Sequence, residues 1–497
     1  ANGSGSITIN NPINTAGITS VTLGTSNFVA GVNAGNSITS GGNYNTTIGD
    51  EAGTAITTGD NNVAVGYNSL TANTTGTDSV AIGHSALLAQ TTGGDNVAIG
   101  HLAMSSLTTA GNNTAVGDRA MQANTSGENN VAIGTLALDA NTTGASNTAV
   151  GRDSLTANTT GTQNTAVGKS ALAANTTAGQ NTAMGREALF ANTTGADNTA
   201  IGAAALYSNT TASSNTAVGR SCLINNTTGA ENVAVGAESL DANTTGVQNN
   251  AIGYLSLTSC TTGSYNVAMG VAALNDTTTG ESNVALGHLS SYSNLTGSSN
   301  TAVGQKSFYT NTTGTSNVVV GKSAMYYNTT GAGNTAVGVN ALTANTTASN
   351  NTAVGTDALK ANTTGSLNVA VGRHALIGCT TGSDNTGIGT YALDSTTTGN
   401  SNIAIGHGAI STSSTASGQC TLGNSAISNL RCNDTSISSL SDSRDKTDVV
   451  DSPFGLDFIN TVRPVQFLWD TRDGNVKDGT TRIGFLAQEL LAATNGN

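Results

Sequence analysis

The chain has 497 residues, of which 9% are charged and 4% aromatic, whereas about a quarter of a typical globular domain is charged. Its 62 Gly, three Pro and abundant Thr, Asn, Ser and Ala argue against a conventional core of Leu, Phe and Trp. The formal net charge of -13 leaves no basic surface for nucleic acid, and no apolar run approaches the roughly 18 residues of a membrane span. We therefore expect neither nucleic-acid binding nor membrane insertion.

Residues 1 to 48 contain imperfect relatives of the pattern that follows, at Ser20 to Gly24 and at Phe28 to Gly31. We expect this segment to cap the repeats or to join them to upstream parts. Because the chain begins with Ala, we also expect a processed or truncated product.

From Gly49 to Gly423 one Gly recurs every seventeen residues, through twenty-two successive steps. We call it the marker Gly and count positions from it, so that +4 is the fourth residue after it. Residues 164 to 180 are a typical unit, N-T-A-V-G-K-S-A-L-A-A-N-T-T-A-G-Q. A solenoid requires so strict a period because each coil stacks on the next. The repeat predicts an all-β fold, a parallel β-solenoid or β-roll of 17-residue coils.

Two apolar rows recur in these units. Position -1 is always Val, Ile, Leu or Met, and position +4 is nearly always Leu or Met, as in Val65 and Leu70. We expect both rows to form the core, with the small Ala or Ser at +3 allowing close approach of a neighbouring layer or chain. The marker Gly is expected at a corner that needs positive φ or the absence of a Cβ.

The β-branched segment N-T-A-V predicts a strand of four or five residues. The segment x-A-L-x-A favours a second short strand, although Arg186 to Leu189 would also suit one helical turn. Asn-Thr-Thr-Gly predicts a turn. More than a dozen such sequons would be glycosylated in a eukaryotic secretory host, but we favour the turn interpretation.

An Asn occupies position -4 in nearly every unit, as at Asn62 and Asn96, with Ser79 and Gln419 as exceptions. Stacked amides of this kind hydrogen-bond along the axis; the alternative is a turn residue on the solvent side. No Pro lies between Pro12 and Pro453, which is typical of uninterrupted ladders because Pro cannot donate to them.

The energetics favour association of several chains. Two large apolar side chains per coil contribute about 3 to 6 kcal/mol, whereas ordering seventeen residues costs on the order of 20 kcal/mol or more. We therefore predict a homotrimer about 100 Å long. The N-[TS]-[AV]-[VI]-G core resembles the left-handed β-roll heads of trimeric autotransporter adhesins, although those heads use a shorter repeat.

The polar and thiol groups of the repeats offer few candidate sites. Cys260 and Cys379 share one register but lie seven repeats apart, at roughly 4.8 Å per coil too far for a disulfide, so we expect buried thiols. His84 and His101 on adjacent coils are open to a metal, but no third ligand is in register, and a solvated surface is favoured. We expect no metal and no cofactor.

The period ends after Gly423, and residues 424 to 440 predict a β connector. Residues 441 to 497 contain the only Trp and three ordered motifs: S-D-S-R-D-K from 441, L-D-F-I-N-T-V-R-P-V-Q-F-L-W from 456 and G-F-L-A-Q-E from 484. This stretch resembles the endosialidase-type intramolecular chaperone at the C-termini of phage tail spikes and fibres. We expect a small α+β domain, in which the spacing of the apolar residues fits a strand around Val465 to Trp469. Because family members usually continue further, we expect a shortened domain.

The resemblance also implies that this domain helps three chains trimerise and then cleaves itself off between Leu440 and Ser441. Ser441 would be the nucleophile and Lys446 its base, with Asp442 and Arg444 supporting them. A desolvated Lys is suited to this role because a Ser hydroxyl needs a nearby base. Spacing alone would instead indicate a solvated turn.

Three functions follow from these patterns. The first is the shaft of a phage tail fibre on the virion surface, with a host-surface glycan or protein receptor and other tail proteins as partners. The second is a bacterial surface adhesin or extracellular filament. The third is an ice-binding solenoid, because paired Thr recur in each coil, as at Thr74 and Thr75.

Overall fold

The computed structural model describes residues 24–429, 462–468 and 481–486, with Glu489 and Ala492. The chain divides into two compact units, residues 1–427 and 428–497. In the first unit, twenty-four three-residue strands form one parallel sheet in which each strand pairs with the next along the chain. The predicted parallel β-solenoid is confirmed. The described part of the second unit contains one antiparallel pair of strands, which confirms the strand predicted around Val465.

The strands of the first unit are β1 (Phe28–Ala30), β2 (Thr46–Ile48), β3 (Val63–Val65), β4 (Val80–Ile82), β5 (Val97–Ile99), β6 (Thr114–Val116), β7 (Val131–Ile133), β8 (Thr148–Val150), β9 (Thr165–Val167), β10 (Thr182–Met184), β11 (Thr199–Ile201), β12 (Thr216–Val218), β13 (Val233–Val235), β14 (Asn250–Ile252), β15 (Val267–Met269), β16 (Val284–Leu286), β17 (Thr301–Val303), β18 (Val318–Val320), β19 (Thr335–Val337), β20 (Thr352–Val354), β21 (Val369–Val371), β22 (Thr386–Ile388), β23 (Ile403–Ile405) and β24 (Cys420–Leu422). Those of the second unit are β25 (Val465–Leu468) and β26 (Thr481–Gly484).

The register of the sheet follows the sequence period. Thr182 lies opposite Thr199, seventeen residues later, and the same offset joins the strands from β2 to β24. The first step differs, because Phe28 pairs with Thr46, eighteen residues away. The sheet therefore begins within the stretch predicted as an N-terminal cap, and each later coil adds one layer of about 4.8 Å.

The inward face of each strand is formed by the residue at -2, usually Ala. Ala81 and Ala132 are fully buried, whereas Ile82 and Ile133 at position -1 are 38% and 41% exposed. The prediction that row -1 forms the core is wrong, because side chains alternate along a strand and only the central one of three points inward. The +4 row is confirmed as core, as shown by the fully buried Leu70.

The segment after the marker Gly is a succession of turns, so the predicted second strand is wrong. Residues at +2 and +4 have left-handed backbone conformations. Typical φ values are 55° at Glu238, which is at +2, and 50° at Leu87, which is at +4. Such residues cannot continue a strand. The Ala at +3, for example Ala86, is fully buried inside its own coil, so it does not provide the approach for a neighbouring chain that the sequence suggested.

The left-handed conformation also restricts the sequence at position -5, where Gln163 and Asp197 both have φ of 59°. From Tyr44 to Ser401, none of the residues at -5, +2 or +4 is Val, Ile or Thr, although these residue types are common elsewhere in the repeat. A left-handed L-residue costs roughly 1–2 kcal/mol, and a β-branched side chain is the least tolerated there. The absence of β-branched residues is therefore a steric requirement of the coil.

The marker Gly occupies a position that other residues cannot. At Gly185 the backbone φ is 137°, and an added Cβ would lie 2.5 Å from the carbonyl oxygen of Gly202 in the next coil. Both the dihedral angle and the close approach exclude a side chain. The predicted corner role of this Gly is confirmed.

The Asn row at -4 forms the predicted buried ladder. The backbone N and Nδ2 of Asn164 donate to Oδ1 of Asn147 at 3.0 and 3.1 Å, and Nδ2 also donates to the Ala178 carbonyl at 2.9 Å. A second ladder runs beside it at +7, a position that was predicted only as part of a turn. There Nδ2 of Asn158 donates to Oδ1 of Asn141 at 2.9 Å and to the Gly161 carbonyl at 3.0 Å. The two ladders join successive coils through the interior.

We predict that Ser170→Val destabilises the solenoid by about 1 kcal/mol relative to Ser170→Asn, because Ser170 is left-handed with φ of 56° and Asn tolerates this region best. The same pair of changes at Ser208, which is not among the positive-φ residues, is the control. Urea unfolding followed by circular dichroism measures the difference. Equal effects of Val at the two sites would contradict the steric explanation.

Candidate functional site

The residues predicted for self-cleavage, Ser441, Lys446, Asp442 and Arg444, lie outside the described residues. The described part of the second unit contains the β25–β26 pair, with Val465 opposite Gly484. The ion pair between Arg463 and Glu489, 2.7 Å long, joins two further parts of this unit.

The histidine column lies on the surface at position +1. The rings of Tyr67, His84 and His101 lie on successive coils with centroids 5.4 and 5.3 Å apart and planes tilted by 42° and 45°. Nδ1 of His101 lies 2.8 Å from Oδ1 of Asp118. The hydrogen bond from His101, assisted by Arg119, holds the pKa of Asp118 below its usual value. No group of three or more His, Cys, Asp or Glu suited to a metal ion occurs among the described residues.

Other charged side chains occupy the same corner of the coil. Arg152 pairs with Asp153 at 2.9 Å and Arg186 pairs with Glu187 at 3.0 Å, and all four lie at positions +1 or +2. Exposed pairs of this kind add little stability. They form a solubilising edge at this corner of the coil.

Cys222, Cys260 and Cys379 are buried thiols, as predicted, whereas Cys420 in β24 is exposed, contrary to the expectation. Burial raises the pKa of Cys222 and Cys260 to about 12 and that of Cys379 to about 11. Such thiols stay protonated at neutral pH and are poor nucleophiles. Cys260 and Cys379 replace Asn at +7, where each Sγ donates to a Gly carbonyl at 3.4 Å.

These two cysteines interrupt the +7 ladder. Oδ1 of Asn243 and Oδ1 of Asn362 have no hydrogen-bond partner, and each lies one coil before a Cys that lacks the amide donor. The Ser79 gap in the other ladder is bridged instead, because Nε2 of Gln90 donates to Oγ of Ser79 at 3.1 Å. The gap at Ser79 is therefore bridged by a hydrogen bond, whereas the gaps at the two cysteines each leave an amide oxygen unpaired.

The Asn-Thr-Thr sequons place their Asn in the buried +7 ladder; Asn158 is fully buried. The folded coil therefore does not present this amide for glycosylation, in agreement with the turn interpretation. The first Thr also makes an axial contact, since Oγ1 of Thr159 donates to the Thr176 carbonyl at 3.0 Å. Only the second Thr, as at Thr160, lies exposed, which disfavours the double hydroxyl row expected of an ice-binding surface.

The outward side chains of the strands form a continuous apolar surface. We define the strand stripe as the residues at -3 and -1 in β2 to β24. None of them is charged, and all are Val, Ile, Thr, Leu, Met or Cys apart from Asn250. Many are substantially exposed, with Met184 at 43% and Ile405 at 44%. The strand stripe follows the solenoid for about 100 Å, whereas the largest apolar patch of a typical monomer covers about 300 to 600 Å².

A family model described as chaperone of endosialidase matches residues 441–495. The match confirms the resemblance seen in the three C-terminal motifs, so the chain carries this chaperone domain at its C-terminus. The domain and the β-solenoid together fit a phage tail fibre. No curated protein and no solved structure matches the chain.

No helix in the described ranges has the length and apolar character required to cross a membrane.

We predict that Cys260→Asn stabilises the interrupted ladder. The introduced amide would donate to Oδ1 of Asn243 and accept from the equally unpaired Oγ1 of Thr277, which is worth about 1 kcal/mol. Amide hydrogen exchange of the adjoining coils should slow roughly fivefold. Cys222→Ala, outside the ladder, is the control; faster exchange in Cys260→Asn than in the unmodified chain would show that the ladder is not the limiting interaction.

Proposed function

We propose that the chain is the shaft of a homotrimeric phage tail fibre, located on the virion surface, which contacts a receptor on the host cell and joins other tail proteins. The observation that carries this proposal is the strand stripe. The C-terminal chaperone domain supports it, because the family helps three chains to assemble.

The strand stripe needs a partner of matching length and spacing. Each layer presents two outward side chains, for example Thr199 and Ile201 in β11, and the layers recur every 4.8 Å or so. A globular partner would cover only a few layers. A second copy of the same solenoid repeats its apolar pair at the same interval, so parallel copies cover the whole stripe.

The extent of the surface is sufficient for a stable interface. A standard protein interface covers about 800 Å² on each partner. Each of the 23 strands from β2 to β24 adds two outward side chains to the strand stripe, and many of them are more than a third exposed. Most of it is apolar, as in obligate assemblies.

The alternative function, a bacterial surface adhesin, is supported by the same repeat, but no further observation favours it. The chaperone domain is the feature that distinguishes the two candidates, because it resembles the C-termini of phage tail fibres and spikes. Adsorption of a purified virion to its host, blocked by the isolated chain, would support the tail-fibre role directly.

We predict that three charges in the strand stripe disrupt the trimer. The combined change Thr182→Glu, Thr199→Glu and Thr216→Glu places carboxylates on three successive layers of the interface, where burying unpaired charges is costly. Sedimentation equilibrium should show a monomer mass for this variant and a trimer mass for the unmodified chain.

The matched control is Thr177→Glu, Thr194→Glu and Thr211→Glu, which places the same charges on the same coils at the exposed +9 position. This variant should remain trimeric. A stripe variant that stays as trimeric as the control would exclude the strand stripe as the interface.

We predict that the chain cleaves itself before Ser441 once the trimer has formed. Incubation at neutral pH should release a fragment of residues 441 to 497, detected by mass spectrometry of the intact products. Ser441→Ala and Lys446→Ala should each abolish the release, because one removes the nucleophile and the other its base. Ser443→Ala is the control, and unchanged cleavage in Ser441→Ala would reject the assignment.

A further inference from the structure

Three tyrosines stack on successive coils at position +5. The ring centroids of Tyr292 and Tyr309 are 5.3 Å apart, those of Tyr309 and Tyr326 are 4.9 Å apart, and both pairs are tilted by only 16°. All three side chains are half-buried. The hydroxyl groups of this column therefore recur along the solenoid axis with the spacing of the coils.

A fourth tyrosine adds an exposed ring to the column. Tyr327 is 55% exposed and meets Tyr326 edge to face at 4.7 Å. Tyrosine provides a large contact area with little loss of side-chain entropy, which makes it a frequent anchor in binding surfaces. The neighbour holds the Tyr327 ring in place while much of it stays open to solvent.

The same coils are basic in an acidic chain. No Asp or Glu occurs between Glu281 and Asp357, a stretch that contains Lys306 and Lys322, although the net charge of the chain is -13. Nζ of Lys306 lies 5.9 Å from the centroid of the Tyr309 ring, and Lys322 is exposed. Tyrosines and uncompensated lysines thus coincide on one segment of the solenoid.

We propose that Tyr292, Tyr309, Tyr326, Tyr327, Lys306 and Lys322 form a binding surface for an acidic polysaccharide that lies along the solenoid axis. The proposal rests on the adhesive role proposed for the shaft and identifies the segment and the class of receptor. Carboxylates on the ligand pair with the two lysines, one sugar ring packs on Tyr327, and the column of phenols donates to ligand hydroxyl groups.

The geometry of the coil supports this arrangement. An extended pyranose chain advances by about one coil height per sugar, so successive sugars meet successive tyrosines. Burial raises the pKa of Tyr309, assisted by Tyr326, Tyr292 and the acidic Asp276, which keeps its hydroxyl protonated as a donor. The +3 and +4 side chains are buried against the inner side of the strand, where Oγ of Ser239 donates to the Ala251 carbonyl at 3.0 Å. The tyrosines at +5 therefore lie across the coil from the strand stripe, and trimer formation through the stripe leaves them accessible.

The chain provides internal controls for each part of the surface. Phe190 and Tyr207 also stack at +5, with centroids 5.1 Å apart, but they lack a neighbour equivalent to Tyr327. Lys169 is at the same position as Lys322, in a coil without aromatic residues at +5. Tyr207→Ala and Lys169→Gln therefore reproduce the chemical changes away from the proposed surface.

Biolayer interferometry with the purified full-length chain tests the proposal. The immobilised probes are polygalacturonate, its carboxyl-reduced form and single-stranded poly(dT). The unmodified chain should bind polygalacturonate at least tenfold more tightly than the reduced polymer, and more weakly as salt is raised. Tyr327→Ala should weaken binding at least tenfold and the pair Lys306→Gln with Lys322→Gln several-fold, whereas Tyr207→Ala and Lys169→Gln should bind as the unmodified chain does.

Several results would overturn the proposal: no binding to polygalacturonate, equal binding to the reduced polymer, tighter binding to poly(dT), or full binding by the Tyr327→Ala variant. Circular dichroism confirms that each variant is folded before it is compared. The trimeric shaft is tested by the masses of the unmodified chain and the strand-stripe variant, whereas the polysaccharide surface is tested by binding. One proposal can therefore fail without the other.

Discussion

The seventeen-residue register along the axis is the constraint on which the whole solenoid depends. Each coil donates backbone hydrogen bonds to the next, as from the Thr182 nitrogen to the Asn198 carbonyl at 2.8 Å. The Asn ladders repeat this connection inside the coil, where their amides are shielded from water and must be paired. An inserted residue would displace the Ala, Leu and Asn rows together, which explains why the period is kept from Gly49 to Gly423.

The thin core has a direct consequence for assembly. One Leu and two Ala of a typical coil, such as Leu206, Ala205 and Ala217, are fully buried, while the larger Val and Ile side chains of the strand point outward. The largest apolar side chains of the strand are thus left on the surface, as the proposed contact between chains requires. The strand stripe contains no charged residue, and the charges of the repeats lie at other positions of the coil, such as +1, +2, -5 and +5.

Much of the fold could be predicted from the sequence because a solenoid expresses its geometry as a period. The repeat, the Gly corner and the -4 Asn ladder follow from spacing alone. The side chains that face inward could not be predicted in the same way. Ala166 and Val167 are both apolar, and a strand of three residues is too short for its alternation to show which of them faces the core. The missing second strand did leave a signal: the absence of Val, Ile and Thr at -5, +2 and +4 indicates left-handed backbone. The stacked tyrosines were also visible as a seventeen-residue spacing, but their exposure required the structure.

Cryo-electron microscopy of the purified full-length chain tests the trimeric shaft most directly. We expect three parallel solenoids around a common axis, with one layer every 4.8 Å or so and the outward Val and Ile side chains of each strand facing the other two chains. Single solenoids, or an assembly in which these side chains face solvent, would contradict the proposed architecture.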